Sequence, residues 1–365
     1  MGFGGRDSGF GEQTPGVGGR GERVGNLPAV VAPHFDPPWW LRSRHAQTIG
    51  GKFLRRDPGI SLRRERIETP DGDFIDLDFA APTDPARPGS PAPGAGASDL
   101  DRAPTVLVLH GLEGSARRSY MLLTYWELLR RGLRPVGLNF RSCSGEPNRL
   151  PRFYHSGDTG DLRLALDYIA ARSPGGIRGA IGFSLGGNVL LKFLGEEGDA
   201  ARQCLDAAVA ISVPFDLAVG ADTLERGVMG RVYTEYFLRS LRAKIRAKLS
   251  IIPPGIDAAA ALRARTLRAF DDAVTAPIHG FNDAAEYYHL SSSARYLESI
   301  RVPTLLIHAE DDPFLPSAAI PRQAIARNSN LIPAISRRGG HVGFIRGTPR
   351  TPAFHAESTA AQFLG

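Results

Sequence analysis

Ser184 stands between two glycines in Gly182-Phe183-Ser184-Leu185-Gly186. A serine hydroxyl attacks acyl carbonyls once a base takes its proton, a third group orients that base, and amide donors receive the oxyanion. The spacing has a mechanical meaning. IRGAIGF, ending at Phe183, reads as a buried strand; the residues from Leu185 read as a helix with Val189, Leu190, Phe193 and Leu194 on one face. At so sharp a strand-to-helix turn the serine backbone is strained and its hydroxyl is pushed clear of the sheet. Crowding there calls for hydrogen in place of a side chain two positions before and two after, which Gly182 and Gly186 supply. The same five residues also fit a glycine-rich loop that merely lets a helix pack close to a strand, so the partners decide.

In an open parallel sheet the partners belong in loops at the carboxyl ends of strands. RRGGHVGF follows the strand-like run LIPAIS and carries His341 behind two glycines, a candidate base. EDDPFLP follows PTLLIHA and offers Asp311 and Asp312. Asp312 is the better acid because Pro313 keeps it extended, and Asp311 stands as the alternative. The chain order serine, aspartate, histidine is that of the α/β-hydrolases. After TVLVLH, His110-Gly111-Leu112-Glu113-Gly114 forms a strand-end loop whose amides can point at a developing oxyanion. His110 is expected to brace that loop, His308 to lie in the core, and Cys143 to be structural. No spacing matches a zinc site, a P-loop or a dinucleotide fingerprint.

These residues need elements to hold them. From Thr105 the pattern alternates strand and helix: TVLVLH, SYMLLTYWELLRRG, RPVGLNF, DTGDLRLALDYIAAR, IRGAIGF and its helix, then LDAAVAIS. Strands with little alternation, separated by helices, predict a mostly parallel sheet covered on both faces. The rhythm breaks at Pro214. About 215–300 shows helical stretches without a convincing strand, which reads as a helical cap inserted before the last strands, PTLLIHA and LIPAIS. Ahead of this, RRERIETPDGDFIDLDFA reads as a hairpin with its turn at Pro70-Asp71-Gly72. Residues 1–28 are Gly-rich and expected to be disordered, the α/β domain spans 29–365, and 81–103 is expected to be a low-complexity surface loop.

Length and composition narrow the class. A chain of 365 residues with 42% hydrophobic and 22% charged content can bury a large core and is ordinary for a globular protein. No apolar stretch approaches the roughly 18 residues that span a bilayer. The amino-terminal sequence has no apolar core of a secretory signal, and two cysteines make no disulfide framework, so a cytoplasmic setting is expected. The net charge of +6 leans only mildly toward anionic surfaces. In LRSLRAKIRAKL, Leu238, Leu241, Ile245 and Leu249 share a face ringed by basic residues. The favoured reading is an ordinary cap helix packed by that face, with peripheral membrane contact not favoured.

The stretches WWLRSRHAQTI, ETPDGDFIDLDF, HGLEGS, NFRSCSGEPNR, YHSGDTGDL, GFSLGGNVL, FDDAVTAPIHGFNDAAEYY, HAEDDPF and GGHVGF cover about residues 35 to 346. Together they resemble the YheT-like esterases of the α/β-hydrolase superfamily, relatives of the mammalian ABHD lipid hydrolases. By position, the resemblance implies Ser184 as nucleophile, Asp312 as acid, His341 as base, and the amides of Leu112 and Leu185 as the oxyanion hole. One departure stands out: the family pattern Arg-Gly-Cys is here Arg141-Ser142-Cys143, where a glycine would suit positive φ. The expected activity is hydrolysis of short-chain or monoacylglycerol-like esters through an acyl-enzyme, with no cofactor, no metal and no nucleic-acid partner. An acyltransferase using the same acyl-enzyme, or a non-catalytic binding protein of the same fold, are the alternatives.

Overall fold

The strand-like runs of the sequence become neighbours in space. The structure is a computed structural model that describes residue 1 and residues 35–84, 87–91 and 102–365. The expectation for residues 1–28 lies outside the described residues. Helix α1 (Arg44–Leu54) is followed by β1 (Ile60–Glu68), β2 (Phe74–Asp84) and β3 (Arg87–Pro91). Then come β4 (Thr105–Leu109), α2 (Ser119–Leu129), β5 (Arg134–Asn139), α3 (Gly160–Ala170), β6 (Ile177–Phe183), α4 (Leu185–Glu197) and β7 (Ala207–Ile211). The chain ends with β8 (Thr304–Ala309), a short helix, β9 (Leu331–Ser336) and a carboxyl-terminal helix, His355–Leu364.

The main sheet has the order β1-β2-β5-β4-β6-β7-β8-β9, with β3 beside β2. β1, β2 and β5 pair antiparallel, and every pairing from β5 to β9 is parallel. Strands β4, β5, β7 and β8 are buried along their whole length, as expected for near-continuous Val, Ile, Leu and Ala runs covered on both faces. The register aligns the strand ends. Leu109 lies opposite Gly182, Phe183 opposite Ile211, Ile211 opposite Ile307, and Ala309 opposite Ser336. These parallel strands therefore end along one edge, and the loops after them meet there.

Two expectations change. The segment 81–103 is not a loop throughout: residues 81–84 continue β2, with Ala81 opposite Ser61 and Pro82 opposite Ile60, and 87–91 pair back on β2. Strand partners for those residues outweigh their proline-rich composition, and proline is tolerated where pairing runs out. Residues 92–101 lie outside the described residues. The hairpin strands are also longer than the alternation suggested. Asp76 and Asp78, the acidic positions of FIDLDF, are buried, each held by two 2.8–2.9 Å bonds to its cross-strand partner, Arg66 or Arg64.

Between β7 and β8 the chain forms helices α5 (Leu217–Leu224), α6 (Gly227–Lys248), α7 (Ala258–Arg263), α8 (Leu267–Phe270), α9 (Ala276–Ile278) and α10 (Ala284–Ser291). Leu238 and Ile245 of α6 are fully buried and Leu241 is half-buried, whereas Leu249 is exposed. The apolar face read from the sequence thus packs inward, except at its end. Among the described residues no helix is long and apolar enough to cross a membrane.

Candidate active site

β6 runs into α4 through a single residue. Ser184 has φ 52° and ψ −118°, outside the comfortable regions for an L-residue, and its N–H donates to the Ile211 carbonyl at 2.8 Å. Its own carbonyl accepts the Asn188 N–H at 3.0 Å, so both ends of the strained residue are held by backbone. A Cβ on Gly182 would lie 2.5 Å from the Gly186 oxygen, and one on Gly186 would lie 2.6 Å from the His110 oxygen. No side chain fits at either position.

The turn delivers the hydroxyl to the histidine. His341 Nε2 lies 2.8 Å from Ser184 Oγ, and His341 Nδ1 lies 2.8 Å from Asp312 Oδ2. Burial opposes the Asp312 carboxylate, but the imidazole beside it and the Phe314 N–H at 2.8 Å hold it below the usual carboxylate range. Asp311 does something else: its Oδ1 accepts the Gly340 N–H at 2.9 Å and so shapes the histidine loop. The Phe314 ring stacks on the imidazole with centroids 4.1 Å apart.

Sequence reasoning missed the residues that hold this loop. The His341 N–H donates to Thr48 Oγ1 at 2.9 Å, and the Val342 N–H donates to Ser212 Oγ at 2.9 Å. Gln47 binds Ile345 at both backbone atoms, accepting its N–H at 2.7 Å and donating to its carbonyl at 3.0 Å. Arg55 donates to the Val342 carbonyl at 2.6 Å while its Nε pairs with Glu357 at 2.7 Å. The fragment RHAQTI is legible in the sequence only as part of a resemblance. Its physical role is to brace the His341 loop from α1.

The loop after β4 is equally constrained. His110 is buried, donates from Nδ1 to the Gly111 carbonyl at 2.7 Å and accepts the Phe140 N–H at Nε2 at 3.3 Å, which fixes its tautomer. Burial pushes its pKa down to about 3, so it stays neutral and braces the loop. The N–H groups on either side of Leu112 are engaged: Gly111 donates to Tyr120 OH at 3.0 Å, and Glu113 to Tyr154 OH at 2.8 Å. Leu185 opens α4, where an N–H has no acceptor within its own helix. Leu112 and Leu185 line the same cavity as Ser184 and His341.

Glu113 ties this loop to α6. Its carboxylate takes the Lys244 ammonium at 2.7 Å, Tyr154 OH at 2.9 Å and the Ser240 hydroxyl. Cys143 lies 3.1 Å from the same ammonium, and burial pushes its thiol up to about 11, as befits an inert structural cysteine. Ser142 takes φ +62°, the conformation for which glycine is suited, and its hydroxyl accepts the Asn148 N–H at 3.2 Å. His308 is buried in the core, with no partner for its ring nitrogens among the described residues. Among those residues, too, no three His, Cys, Asp or Glu side chains gather as a metal ion would need.

Two cavities meet at Ser184. The smaller, about 130 Å³, runs among Leu185, Leu217, Leu224, Leu241 and Phe270 beneath the helices of 217–291. The larger, about 370 Å³, opens between α1 and α6 past Ile49, Phe53, Val232 and Tyr236. Both include Leu112, Ser184, Phe314 and His341, so a bound molecule could extend to either side of the hydroxyl.

Comparison with known proteins agrees with this architecture. Residues 104–348 match the family described as alpha/beta hydrolase fold. The chain is 37% identical over 336 residues to a protein of Escherichia coli (strain K12) named "Putative esterase YheT", covering 90% of this chain and 92% of the relative. It is 31% identical to phospholipase ABHD3 of Mus musculus, covering 93% and 80%, and 31% identical to a monoacylglycerol lipase of Saccharomyces cerevisiae (strain ATCC 204508 / S288c), covering 67% and 56%. Among solved structures, an esterase of Pyrococcus furiosus, Pf2001, superposes with a TM-score of 0.52 at 17% identity, over 91% of this chain and 97% of that one, a likeness of fold.

Proposed function

The chain belongs to the alpha/beta hydrolase fold family, and from that membership we propose that it is a serine hydrolase of carboxylic esters working through an acyl-enzyme. One observation carries the reading: a single imidazole bridges Ser184 Oγ and Asp312 at 2.8 Å on each side. His341 Nε2 takes the hydroxyl proton as Ser184 Oγ attacks the ester carbonyl. Asp312 keeps the Nδ1–H tautomer and stabilises the imidazolium that forms. The N–H groups of Leu112 and Leu185 receive the oxyanion; one such donor is generally worth about 3 kcal/mol of barrier. The intermediate then expels the alcohol, which takes its proton from His341. Water, deprotonated by the same nitrogen, releases the acid and restores the serine.

The substrate class we propose is an ester of a short or lipid-like acyl group, with the smaller, apolar cavity as the acyl site. The lining by Leu217, Leu224, Leu241 and Phe270 supports this, as do the names of the lipid-cleaving relatives. The test is hydrolysis of p-nitrophenyl esters from acetate to palmitate by wild type and by Ser184→Ala. Wild-type turnover with a variant lower by about 10³-fold or more is expected. Equal rates for the two proteins would overturn the reading.

A further inference from the structure

Most of a globular surface is expected to scatter its apolar side chains. Here several of them gather at one place, while Trp39, Leu249, Ile251 and Leu290 are exposed elsewhere. Ile49 and Phe53 of α1, and Val228, Val232 and Tyr236 of α6, are exposed, Phe53 by 73% and Val228 by 77%. The α6 residues are spaced four apart and form one stripe, distinct from the buried face of Leu238 and Ile245. Lys52 Nζ lies 5.0 Å from the centre of the Tyr236 ring, and His45 Nδ1 lies 3.0 Å from Tyr233 OH, which joins the two helices side by side. Ile49, Phe53, Val232 and Tyr236 also line the larger cavity, whose floor holds Ser184 and His341. The apolar rim surrounds the mouth of the site.

We propose that this rim is a docking face for an anionic lipid surface, which sets the mouth of the larger cavity against the apolar layer. Charge argues for that occupant. α1 carries Arg44 and Lys52 and no acid, while Arg231, Arg239 and Arg246 are exposed along α6. Against them stand Glu225 just before the helix and Glu235, which Arg242 already binds at 2.9 Å. Apolar residues flanked by cations are what an anionic interface selects. A second copy fits less well. A two-fold contact would lay the same basic patch on itself and close both mouths. The proposal rests on the ester-hydrolase reading for its purpose, since an acyl chain could then reach Ser184 without crossing water, but not for its test.

The test is co-sedimentation of the full chain with phosphatidylcholine vesicles, with and without about one-third phosphatidylserine. It needs no turnover, so its outcome is separate from that of the ester assay. Binding to the anionic vesicles, weakened by salt and absent from the neutral ones, is expected. Val228→Glu and Phe53→Ser should each lower the bound fraction by at least about tenfold, while melting with the wild type. Equal binding to neutral vesicles, no binding to either, or binding indifferent to both substitutions overturns the proposal. So does a dimer, seen by light scattering, that Val228→Glu dissociates.

Discussion

Asp311 and Asp312 are chain neighbours that meet different bonds, and this separates their expected contributions. Asp312 faces the imidazole, whereas Asp311 accepts a backbone N–H that an asparagine oxygen can also accept. Asp312→Asn should therefore lower kcat by about 10⁴, because the amide no longer fixes the tautomer, while Asp311→Asn should cost less than about tenfold. Similar losses in the two variants, measured on one ester, would count against the roles proposed here. A third carboxyl carries a pH signature. Burial pushes Asp271 up to about 6, beside a Tyr288 hydroxyl that donates to it at 2.6 Å. The folded state then holds this proton more tightly than the unfolded chain does, so stability falls as pH rises through about 4 to 6. Asp271→Asn keeps an acceptor for Tyr288 and should lack that fall, a difference of at most about 2 kcal/mol in urea unfolding free energies compared at the two ends of that window. Parallel pH profiles for the two proteins would contradict it. That Ser184, His341 and Asp312 would meet could be read from sequence, because each is a chemically distinctive residue type just after a strand-like run. Thr48, Gln47 and Arg55 could not. Each is an ordinary polar residue that acquires its role only when the chain brings α1 back to a loop almost 300 positions away, at separations such as 293 for Thr48 and His341.

At the scale of elements, α6 is the helix that couples the segment between β7 and β8 to the reacting loops. Lys248 is buried and donates to Asn148 Oδ1 and the Leu150 carbonyl at 2.5 Å and to the Arg152 carbonyl at 3.1 Å, pinning one end of the helix. Lys244 pins the middle through Glu113. The sequence pattern made these two residues part of a basic solvent face, since helical periodicity alone cannot tell a cation over water from one over buried carbonyls. The pairing of Lys244 with Glu113 leads to a non-additive prediction. Lys244→Met leaves a buried carboxylate without its counter-charge and should cost about 3 kcal/mol of stability. Because Glu113 adjoins the Leu112 amide, kcat should fall more than KM rises. Glu113→Gln in the same protein should restore most of the lost stability, as coupled partners do. Simple additivity in a double-mutant cycle would show that the two groups act independently.

Across the whole molecule, the site is closed by residues from near both ends of the described chain. Arg55 follows α1 and Glu357 lies in the terminal helix His355–Leu364, yet the two form a buried pair 302 residues apart. From the same guanidinium, Nη2 donates to the carbonyl of Val342, the residue after His341. Strand-and-helix alternation in the sequence anticipated the parallel sheet. It could not say which strands would be neighbours, nor that two distant helices would clamp one loop, because neither arrangement leaves a local pattern. The clamp links stability with catalysis. A buried guanidinium that loses its carboxylate keeps the cost of its own desolvation, so Glu357→Ala should destabilise the protein by about 3–5 kcal/mol in urea unfolding. Arg55 would then hold the Val342 carbonyl less firmly, and His341 would meet Ser184 less often. At a temperature where the variant remains folded, kcat should therefore fall more than KM rises, since Glu357 itself lines neither cavity. Adding Arg55→Met to Glu357→Ala separates the two effects. Removing the stranded charge should recover much of the stability, yet the loop still lacks its donor and kcat should stay low. Recovery of both together would mean that the clamp serves folding alone.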